Sequence, residues 1–349
     1  MCKKCEHSDQ ATGGDYAGLD KLAQLDQKKE FDDILTGGVP VTENKKLQSR
    51  AQAKYVSYHL ARKLSELDSP LHKSYANTLS CGSQIRVVDG RAQAKYCGNR
   101  WCLVCNRIRT AQAINTYFPI VNQWPDAHFL TLTIPNMPAG HLPAAIKTMG
   151  NVYSSINRRL KRTESIKYKA IRKIECTVNL KENTYHPHYH LIVDSFTAAS
   201  RIMDNWLEKF PTANIKAQNI KPVDMDSLKE LFKYFTKIFT KVEGGGHVAN
   251  VEKLDTIFQA MYNKRTLRTY GFKKSDYAGE IEAYQEQENK PSEVSILDEI
   301  EPLAENLTAI PSDGMYKWQG KDWFNDLTGE QLTTYEPTAK IQALVKNII

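Results

Sequence analysis

Apolar and polar positions along the chain follow two different periods, which predicts a mixture of helices and strands. Near-helical spacing of apolar residues predicts helices over 45–67, 106–122, 141–162, 198–210, 227–241 and 251–264. Alternating residues predict strands over 129–134, 171–178 and 186–193, and 84–96 is typical of a hairpin that turns at Asp89-Gly90. Strands joined by short connections and interleaved with helices predict an α+β fold, in which helices cover one face of a sheet.

The composition is that of a soluble globular protein, with 41% hydrophobic and 25% charged residues among 349. No apolar run approaches the roughly 20 residues that cross a bilayer, and the first residues lack the apolar core of a signal peptide. We therefore expect a cytoplasmic protein without a membrane partner.

Charge is unevenly distributed along the chain. Residues 280–305 contain nine acidic residues and one lysine, so this segment carries −8 while the whole chain carries +7. The remainder therefore carries +15, which indicates a polyanionic partner, because basic residues that neutralise phosphates release counterions. Charge alone does not distinguish DNA from RNA or a membrane.

Three histidines alternate on one predicted strand. His188 and His190 point to the same side about 6.6 Å apart along the backbone, which is close enough for a shared divalent ion, whereas His186 is a secondary candidate. Glu175 is the best third ligand, because it faces away from the apolar side of the preceding strand. A mixed imidazole and carboxylate site suits Mn²⁺ or Mg²⁺, although affinity alone would favour Zn²⁺ or Cu²⁺.

The predicted helix 227–241 combines an apolar stripe with a reactive polar face. Glu230, Tyr234, Lys237 and Lys241 recur at helical spacing, so an acid, a phenol and two cations share one side. A phenol with a pKa of about 10 needs cationic neighbours to act as a nucleophile at neutral pH, and Lys237 and Lys233 are the available ones.

Four cysteines have the spacing of a structural zinc site. Cys81, Cys97, Cys102 and Cys105 are separated by fifteen, four and two residues, and the predicted hairpin brings the first close to the second. We predict Zn²⁺ in a reducing compartment rather than a disulfide framework. Cys176 is predicted to be a core residue, and Cys2 and Cys5 form a half site without identified partners.

Taken together, four blocks resemble the single-tyrosine replication initiators of small rolling-circle plasmids, which are HUH endonucleases. The blocks are FLTLTIPN at 129–136, HPHYH at 186–190, ELFKYFTK at 230–237, and the cysteine block at 97–105 with Arg109 after it. The resemblance runs from roughly Cys81 to Lys241 and leaves both ends uncovered.

The resemblance implies a ferredoxin-like antiparallel sheet in the HUH nuclease domain, beside the zinc-binding N-terminal region. It also implies a bacterial enzyme in which Tyr234 attacks one strand of plasmid origin DNA to form a 5′-phosphotyrosyl link, and Glu230 activates water at termination. The implied partners are origin DNA, double-stranded and single-stranded at the nick, and the host helicase, polymerase and single-strand binding protein.

Basic residues before the metal strand are candidates for DNA binding, namely Arg158, Arg159, Lys161 and Arg162, with Lys233 on the tyrosine helix. Two alternatives stay open. A transposase or relaxase would share the metal and tyrosine chemistry, and a noncatalytic zinc-containing nucleic-acid-binding protein would not need Tyr234.

The predicted organisation has five parts: a polar, partly disordered arm at 1–45, a helical and zinc-binding region at 46–122, an HUH endonuclease domain at 123–275, an acidic linker at 276–312 and a small C-terminal unit at 313–349.

Overall fold

A computed structural model describes residues 45–88, 91–232, 236–242, 246–272 and 312–349. The predicted arm and the acidic linker lie outside these residues, apart from one boundary residue of each. Within the described part of the chain, no helix combines the length and the apolar character that a membrane span requires.

The elements form an α+β fold. The helices are α1 (Lys45–Ser65), α2 (His72–Leu79), α3 (Leu103–Val121), α4 (Leu142–Arg162), α5 (Phe196–Lys209), α6 (Met225–Phe232), α7 (Val251–Met261) and α8 (Ala339–Lys346). The strands are β1 (Gln84–Val88), β2 (Arg91–Ala94), β3 (His128–Thr133), β4 (Ala170–Asn179), β5 (Thr184–Val193), β6 (Asn219–Pro222), β7 (Thr240–Lys241), β8 (His247–Val248), β9 (Leu267–Tyr270), β10 (Gly314–Trp318) and β11 (Trp323–Asn325). The prediction did not include α2, α8, β6, β7, β8 and β9.

The largest sheet has five antiparallel strands in the order β6-β3-β5-β4-β9. Strand β5, which carries the three histidines, is central and pairs with β3 on one side and β4 on the other. A strand paired along both edges has its register fixed twice, so its side chains alternate strictly between the two faces of the sheet.

Helices cover both faces of this sheet, so the prediction of one covered face is wrong. On one face, Tyr189 and Leu191 of β5 pack in a core that includes residues of α4, α5 and α7. On the other face, Ile192 of β5 packs with residues of α3 and α6, including Tyr117 and Leu228. The histidines share the second face with Ile192, because they occupy the same alternate positions of β5.

Helix α6 is shorter than predicted. It begins after Asp224, whose carboxylate accepts a hydrogen bond from the backbone N–H of Ser227 at 2.7 Å, which is a typical N-terminal cap. Its bounds are Met225–Phe232, and residues 233–235 lie outside the described part of the chain. Thr236 and Lys237 are not helical and Lys241 lies in the two-stranded sheet of β7 and β8, so the predicted helix is wrong from Thr236 to Lys241.

The predicted apolar stripe divides between two cores at this point. Leu228, Leu231 and Phe232 are buried on the histidine face of the sheet, whereas Ile238 belongs to the core on the opposite face. One continuous helix presents a single apolar stripe to one surface, so residues that enter two separate cores require the helix to end between them.

The predicted hairpin is confirmed and is part of a larger sheet. Strands β1 and β2 pair antiparallel, with Val88 opposite Arg91, while the predicted turn at Asp89-Gly90 lies outside the described residues. The C-terminal strands complete a four-stranded sheet in the order β11-β10-β1-β2. Trp323 is buried beneath it, and its indole N–H donates to the carbonyl of Gly82 at 2.7 Å.

Two further contacts tie distant parts of the chain together. Asp255 of α7 accepts hydrogen bonds from Ser69 at 2.6 Å and from Tyr75 of α2 at 2.5 Å. The backbone of Ala249 exchanges hydrogen bonds with Asn347 and Ile349 at 3.0 and 2.9 Å. Helical, sheet and C-terminal segments therefore share one framework around the histidine strand.

Candidate functional site

The pairing register of β5 places side chains of β3 and of β4 beside its histidines. Glu175 of β4 lies opposite His188, and Lys173 lies opposite His190. On the other side, Thr131 of β3 lies opposite His190. Directly opposite residues of antiparallel strands project to the same face, so these side chains meet the imidazoles.

Glu175, His188 and His190 form a buried group that can hold a metal ion. Their ligand atoms all lie within 4.8 Å of one another. The Oε2 atom of Glu175 is 3.7 Å from Nε2 of His188 and 3.8 Å from Nε2 of His190. Two atoms that each lie about 2.1 Å from one ion are at most about 4.2 Å apart, so this carboxylate oxygen can share an ion with either imidazole.

The other nitrogen of each imidazole is held by a neighbouring oxygen. Nδ1 of His188 is 3.1 Å from the carbonyl oxygen of His186, and Nδ1 of His190 is 3.2 Å from the hydroxyl of Thr131. In the tautomer with the proton on Nδ1, Nε2 of each ring would be free to bind a metal ion, as metal-binding histidines require. The ring of Phe129 stacks on His190 at a centroid distance of 5.2 Å and restricts its rotation.

His186 lies beside this group and not within it. Its ring stacks on that of His188 at a centroid distance of 5.2 Å, and its backbone carbonyl orients His188. Burial of the ring and, to a smaller extent, the charge of the nearby His188 lower the pKa of the His186 imidazole to about 4. The ring is therefore neutral at pH 7. The geometry therefore brings Glu175 to the paired histidines and leaves His186 as their neighbour.

Glu175 is ionised in spite of its burial. Burial opposes the charge on its carboxylate, but Lys173 and the two imidazoles outweigh burial and lower the pKa of Glu175 to about 2. The Nζ atom of Lys173 is 3.4 Å from Oε1 of Glu175. The site thus has an anionic ligand at neutral pH.

Glu230 of α6 reaches the same place from the covering helix. Its Oε1 atom is 3.7 Å from Nε2 of His190, and its side chain is 37% exposed. It therefore lies at the solvent side of the buried group. Glu230 approaches His190, although it is distant in sequence, because α6 packs over the histidine face of the sheet.

Tyr234 and Lys233 lie outside the described residues. Immediately before them, Phe232 is buried and stacks on Tyr117 of α3 at a centroid distance of 5.7 Å, and its carbonyl accepts a hydrogen bond from Thr110 at 2.9 Å. Immediately after them, Thr236 is buried and Lys237 is exposed. Lys237 is not helical, so the predicted helical face that joins it to Glu230 does not exist.

Four of the predicted DNA-binding residues lie on the last turns of α4, namely Arg158, Arg159, Lys161 and Arg162. This helix packs on the face of the sheet opposite the histidines, through buried residues such as Tyr153 and Leu160. All four side chains are exposed, and Arg159 forms ion pairs with Glu164 at 3.2 Å and Glu208 at 2.7 Å. Their role in DNA binding stays a prediction.

The four predicted cysteines converge into a second group that can hold a metal ion. The sulfur of Cys81 is 3.5 Å from those of Cys102 and Cys105, and Cys97 is 3.6 Å from Cys105. Four thiolates about 2.3 Å from a tetrahedral ion would be about 3.8 Å apart, which is close to these distances. All four cysteines are free of disulfides, as is the buried Cys176.

A buried lysine lies beside this cysteine cluster. The ammonium group of Lys54 donates hydrogen bonds to the carbonyl of Leu79 at 2.8 Å and to the hydroxyl of Ser83 at 3.1 Å. Burial lowers the pKa of Lys54, and the charges of the four thiols act in the opposite direction. A cation there compensates the negative charge of thiolates in a poorly solvated region.

Burial confirms the prediction that Cys176 is a core residue, and burial raises the pKa of its thiol to about 12. Cys2 and Cys5 lie outside the described residues.

Lys173, Thr131 and Lys54 were not predicted as site residues from the sequence. Lys173 had a usable signal, because it alternates with Glu175 and must share its face of β4. Thr131 had none, since its proximity to His190 depends on the pairing of β3 with β5. Lys54 interrupts the buried side of α1 among Ala51, Ala53 and Val56, which marks it as an unusual lysine.

Comparison with known proteins adds a family match. A family model described as "Replication protein" matches residues 90–323. "Protein rep" of Streptococcus pneumoniae serotype 2 is 29% identical over 200 residues, which are 50% of this chain and 61% of that protein. "Protein rep" of Staphylococcus aureus is 26% identical over 156 residues, which are 40% of this chain and 68% of that protein. The chain thus spans less than two thirds of the pneumococcal relative, and no solved structure matches it with significance.

The neutral His186 predicts a specific acid sensitivity in the metal-free protein. Its pKa is about 4 when folded and near 6.5 ordinarily, so between these values the unfolded chain binds a proton that the folded protein does not. Stability therefore falls as the pH decreases from 6.5 to 4, by at most about 1.4 kcal/mol per pH unit. We expect His186→Gln to lose less stability than the wild type over this range, measured by urea unfolding in a chelating buffer.

The exposed His141→Gln serves as the control variant for this experiment. If His186→Gln and the wild type lose stability in parallel, His186 is not held neutral in the fold.

Proposed function

Because the chain belongs to the replication-protein family, whose members include plasmid replication initiators, we propose that it starts rolling-circle copying by nicking one strand of origin DNA. The observation that carries this proposal is the meeting of Glu175, His188, His190 and Glu230 at one place. The nucleophile that this chemistry requires is assigned to Tyr234, four residues after Glu230.

The proposed nuclease domain is of the HUH type, with a ferredoxin-like sheet. Support comes from the antiparallel five-stranded sheet with the histidine strand at its centre. A central strand bears its neighbours' hydrogen bonds on both edges, which suits a site whose ligands must stay fixed while DNA binds and leaves.

The residues of the buried group fit a divalent cation. Two imidazole nitrogens and one ionised carboxylate oxygen are suitable ligands for Mn²⁺ or Mg²⁺, and Glu175, His188 and His190 would hold it. When bound, the cation supplies Lewis-acid polarisation of a nonbridging oxygen of the scissile phosphate. The side chains of the protein supply the ligand cage, the nucleophile and the proton acceptor.

In the nicking step, the phenolate oxygen of Tyr234 bonds to phosphorus and the bond from phosphorus to the 3′ oxygen breaks. The 5′ phosphate stays on the tyrosine, and the departing 3′ oxygen becomes a hydroxyl after taking up a proton. The free 3′-hydroxyl primes synthesis without an RNA primer. Lys237, together with Lys233, is proposed to favour the phenolate by its positive charge.

Glu230 is proposed as the general base of the terminating cleavage. It would take the proton of a water molecule whose oxygen attacks phosphorus, while the 3′ oxygen leaves. Support comes from its 3.7 Å distance to Nε2 of His190 together with its partial exposure, because a base must touch both the site and solvent.

The cysteine cluster is proposed to bind structural Zn²⁺ through Cys81, Cys97, Cys102 and Cys105. Four sulfur ligands in a closed group leave no open position for a substrate, which is typical of structural zinc sites. The ion would join the β1–β2 hairpin to the start of α3, since Cys81 and Cys97 flank the hairpin while Cys102 and Cys105 lie at the start of the helix.

Origin DNA is the proposed substrate, in double-stranded form before the nick and single-stranded at it. The exposed Arg158, Lys161 and Arg162, with Arg159, are proposed to contact phosphates away from the scissile bond, since α4 covers the opposite face of the sheet. The host helicase, polymerase and single-strand binding protein are the proposed partners that follow the nick.

Removal of the phenol tests the proposed nucleophile. We expect Tyr234→Phe to reduce nicking of supercoiled origin plasmid in Mn²⁺ by at least about 1,000-fold and to abolish the covalent adduct, since no oxygen remains to attack phosphorus. Origin binding in a gel-shift assay should be unchanged. The half-exposed Tyr262→Phe is the matched control. An adduct formed by Tyr234→Phe would refute the assignment.

Removal of the acid separates the two cleavages. We expect Glu230→Ala to retain the first nick and to slow hydrolysis at termination by about 100- to 10,000-fold, the usual contribution of a general base. Glu182→Ala, an exposed acid on the turn between β4 and β5, is the control. Normal termination would exclude Glu230 from the mechanism, and weaker Mn²⁺ binding would assign it to the metal site instead.

Removal of one thiol tests the proposed zinc site. We expect Cys105→Ser to lose bound zinc and to melt at least about 5 °C lower, since a loss of about 2 kcal/mol produces such a shift in a domain of this size. Zinc content by atomic emission and thermal unfolding are the measurements. Cys176→Ala should keep its zinc, and equal zinc content in both variants would contradict the site.

A further inference from the structure

A buried lysine touches the carboxylate of the candidate metal site. We propose that Lys173 is a positioning residue for this site, which holds one oxygen of Glu175 and so directs the other oxygen at the two imidazoles. This inference rests on the metal site of the proposed function and adds a residue that neither the metal nor the DNA has to touch.

The two oxygens of Glu175 have different neighbours. Nζ of Lys173 is 3.4 Å from Oε1, whereas Nε2 of His188 and Nε2 of His190 are 3.7 and 3.8 Å from Oε2. The contact is an ion pair without hydrogen-bond geometry, and it favours the orientation of the carboxylate in which Oε1 faces Lys173 and Oε2 faces the imidazoles. Oε2 is then available as a single-oxygen ligand in a fixed direction.

Strand geometry places Lys173 where it can do this. It lies two residues before Glu175 on β4, so both side chains leave the same face, and its partner in register is His190. Arg172, the residue before Lys173, points to the other face of the sheet. Its guanidinium lies 4.2 Å from the ring centre of Tyr189 in the opposite core. The alternation of side chains along β4 therefore places one cation on each face of the sheet.

Burial argues against an incidental contact. The side chains of Lys173 and Glu175 are 7% and 5% exposed. Transfer of a charged pair out of water costs several kcal/mol per ion, and an apolar pair of similar volume is often as stable or more stable. A buried pair that adjoins two imidazoles is better explained by what it does to the carboxylate than by stability.

Burial also distinguishes Lys173 from a phosphate-binding lysine. Lys221 of β6, whose ammonium lies 5.8 Å from the ring centre of Phe129, has a side chain that is 39% exposed and pairs with Asp224. Lys237 is exposed as well. These two lysines are exposed to solvent, whereas the ammonium of Lys173 is buried beside Glu175.

A positioning role and simple charge repulsion predict opposite effects. If Lys173 acted only as a positive charge near a cation, its removal would strengthen metal binding. If it holds Glu175 in place, its removal weakens metal binding, because the carboxylate must be ordered when the ion binds. Residues that orient metal ligands typically contribute 10- to 100-fold to metal affinity.

The test is a Mn²⁺ titration of the full chain without DNA, followed by the electron paramagnetic resonance signal of free Mn²⁺. We expect Lys173→Met to bind Mn²⁺ 10- to 100-fold more weakly than the wild type, and Lys173→Arg to recover most of the affinity. Lys221→Met, which removes a cation from the same face without touching Glu175, should bind as the wild type does.

A double-mutant cycle shows whether Lys173 acts through Glu175. In the Glu175→Gln background, Lys173→Met should cause little further loss of Mn²⁺ affinity, because the carboxylate that it positions is gone. Full additivity of the two losses would overturn the proposal. Thermal unfolding checks that the variants are folded, and Lys173→Gln replaces Lys173→Met if the latter is not.

Two failures have different meanings. Unchanged or tighter Mn²⁺ binding by the folded Lys173 variant, with normal binding by the wild type, overturns the role of Lys173 alone. A wild type that does not bind Mn²⁺, or binds it equally well after His188→Ala and His190→Ala, overturns the metal site itself.

Discussion

The candidate site depends on one constraint, which is that strand β5 is hydrogen-bonded along both of its edges. Pairing with β3 and with β4 leaves the strand no freedom to slide, and a shift of one residue would turn every histidine into the core. Because the register is fixed, His190 lies beside Thr131 and His188 lies beside Glu175. The ligand geometry is therefore a property of the whole sheet and not of the histidine motif alone.

Several parts of this site could be predicted from the sequence, since they follow from local periodicity. Alternation placed His188 and His190 on one face and Glu175 opposite the apolar side of its strand, and the structure brings the three together. Alternation along β4 also places Lys173 on the face of Glu175, whereas the proximity of Thr131 to His190 depends on which strands are neighbours, which local periodicity does not contain. Helices on both faces were missed for the same reason.

The helix after Asp224 shows the limit of a periodic pattern. The apolar positions from Leu228 to Phe239 fit one long stripe in the sequence, but their side chains pack in two cores on opposite sides of the sheet. Packing outweighs helical spacing there, because burial of Ile238 in the second core requires the chain to leave the axis of α6. The cysteine hairpin was predictable, as a two-residue turn fixes its own register.

The long-range pairing of β1 with β10 has a consequence for the newly made chain. Strand β1 is an inner strand of the finished sheet, but it is an open edge until residues 314–318 leave the ribosome. The hydrogen bond between Trp323 and Gly82 spans 241 residues, so at a synthesis rate of about 5–20 residues per second the edge stays open for about 10–50 s. During that interval its unpaired backbone groups can bind a strand of another nascent chain. Completion of the β11-β10-β1-β2 sheet is thus among the last events of folding. A chain interrupted in its acidic segment is left with the edge of β1 permanently exposed.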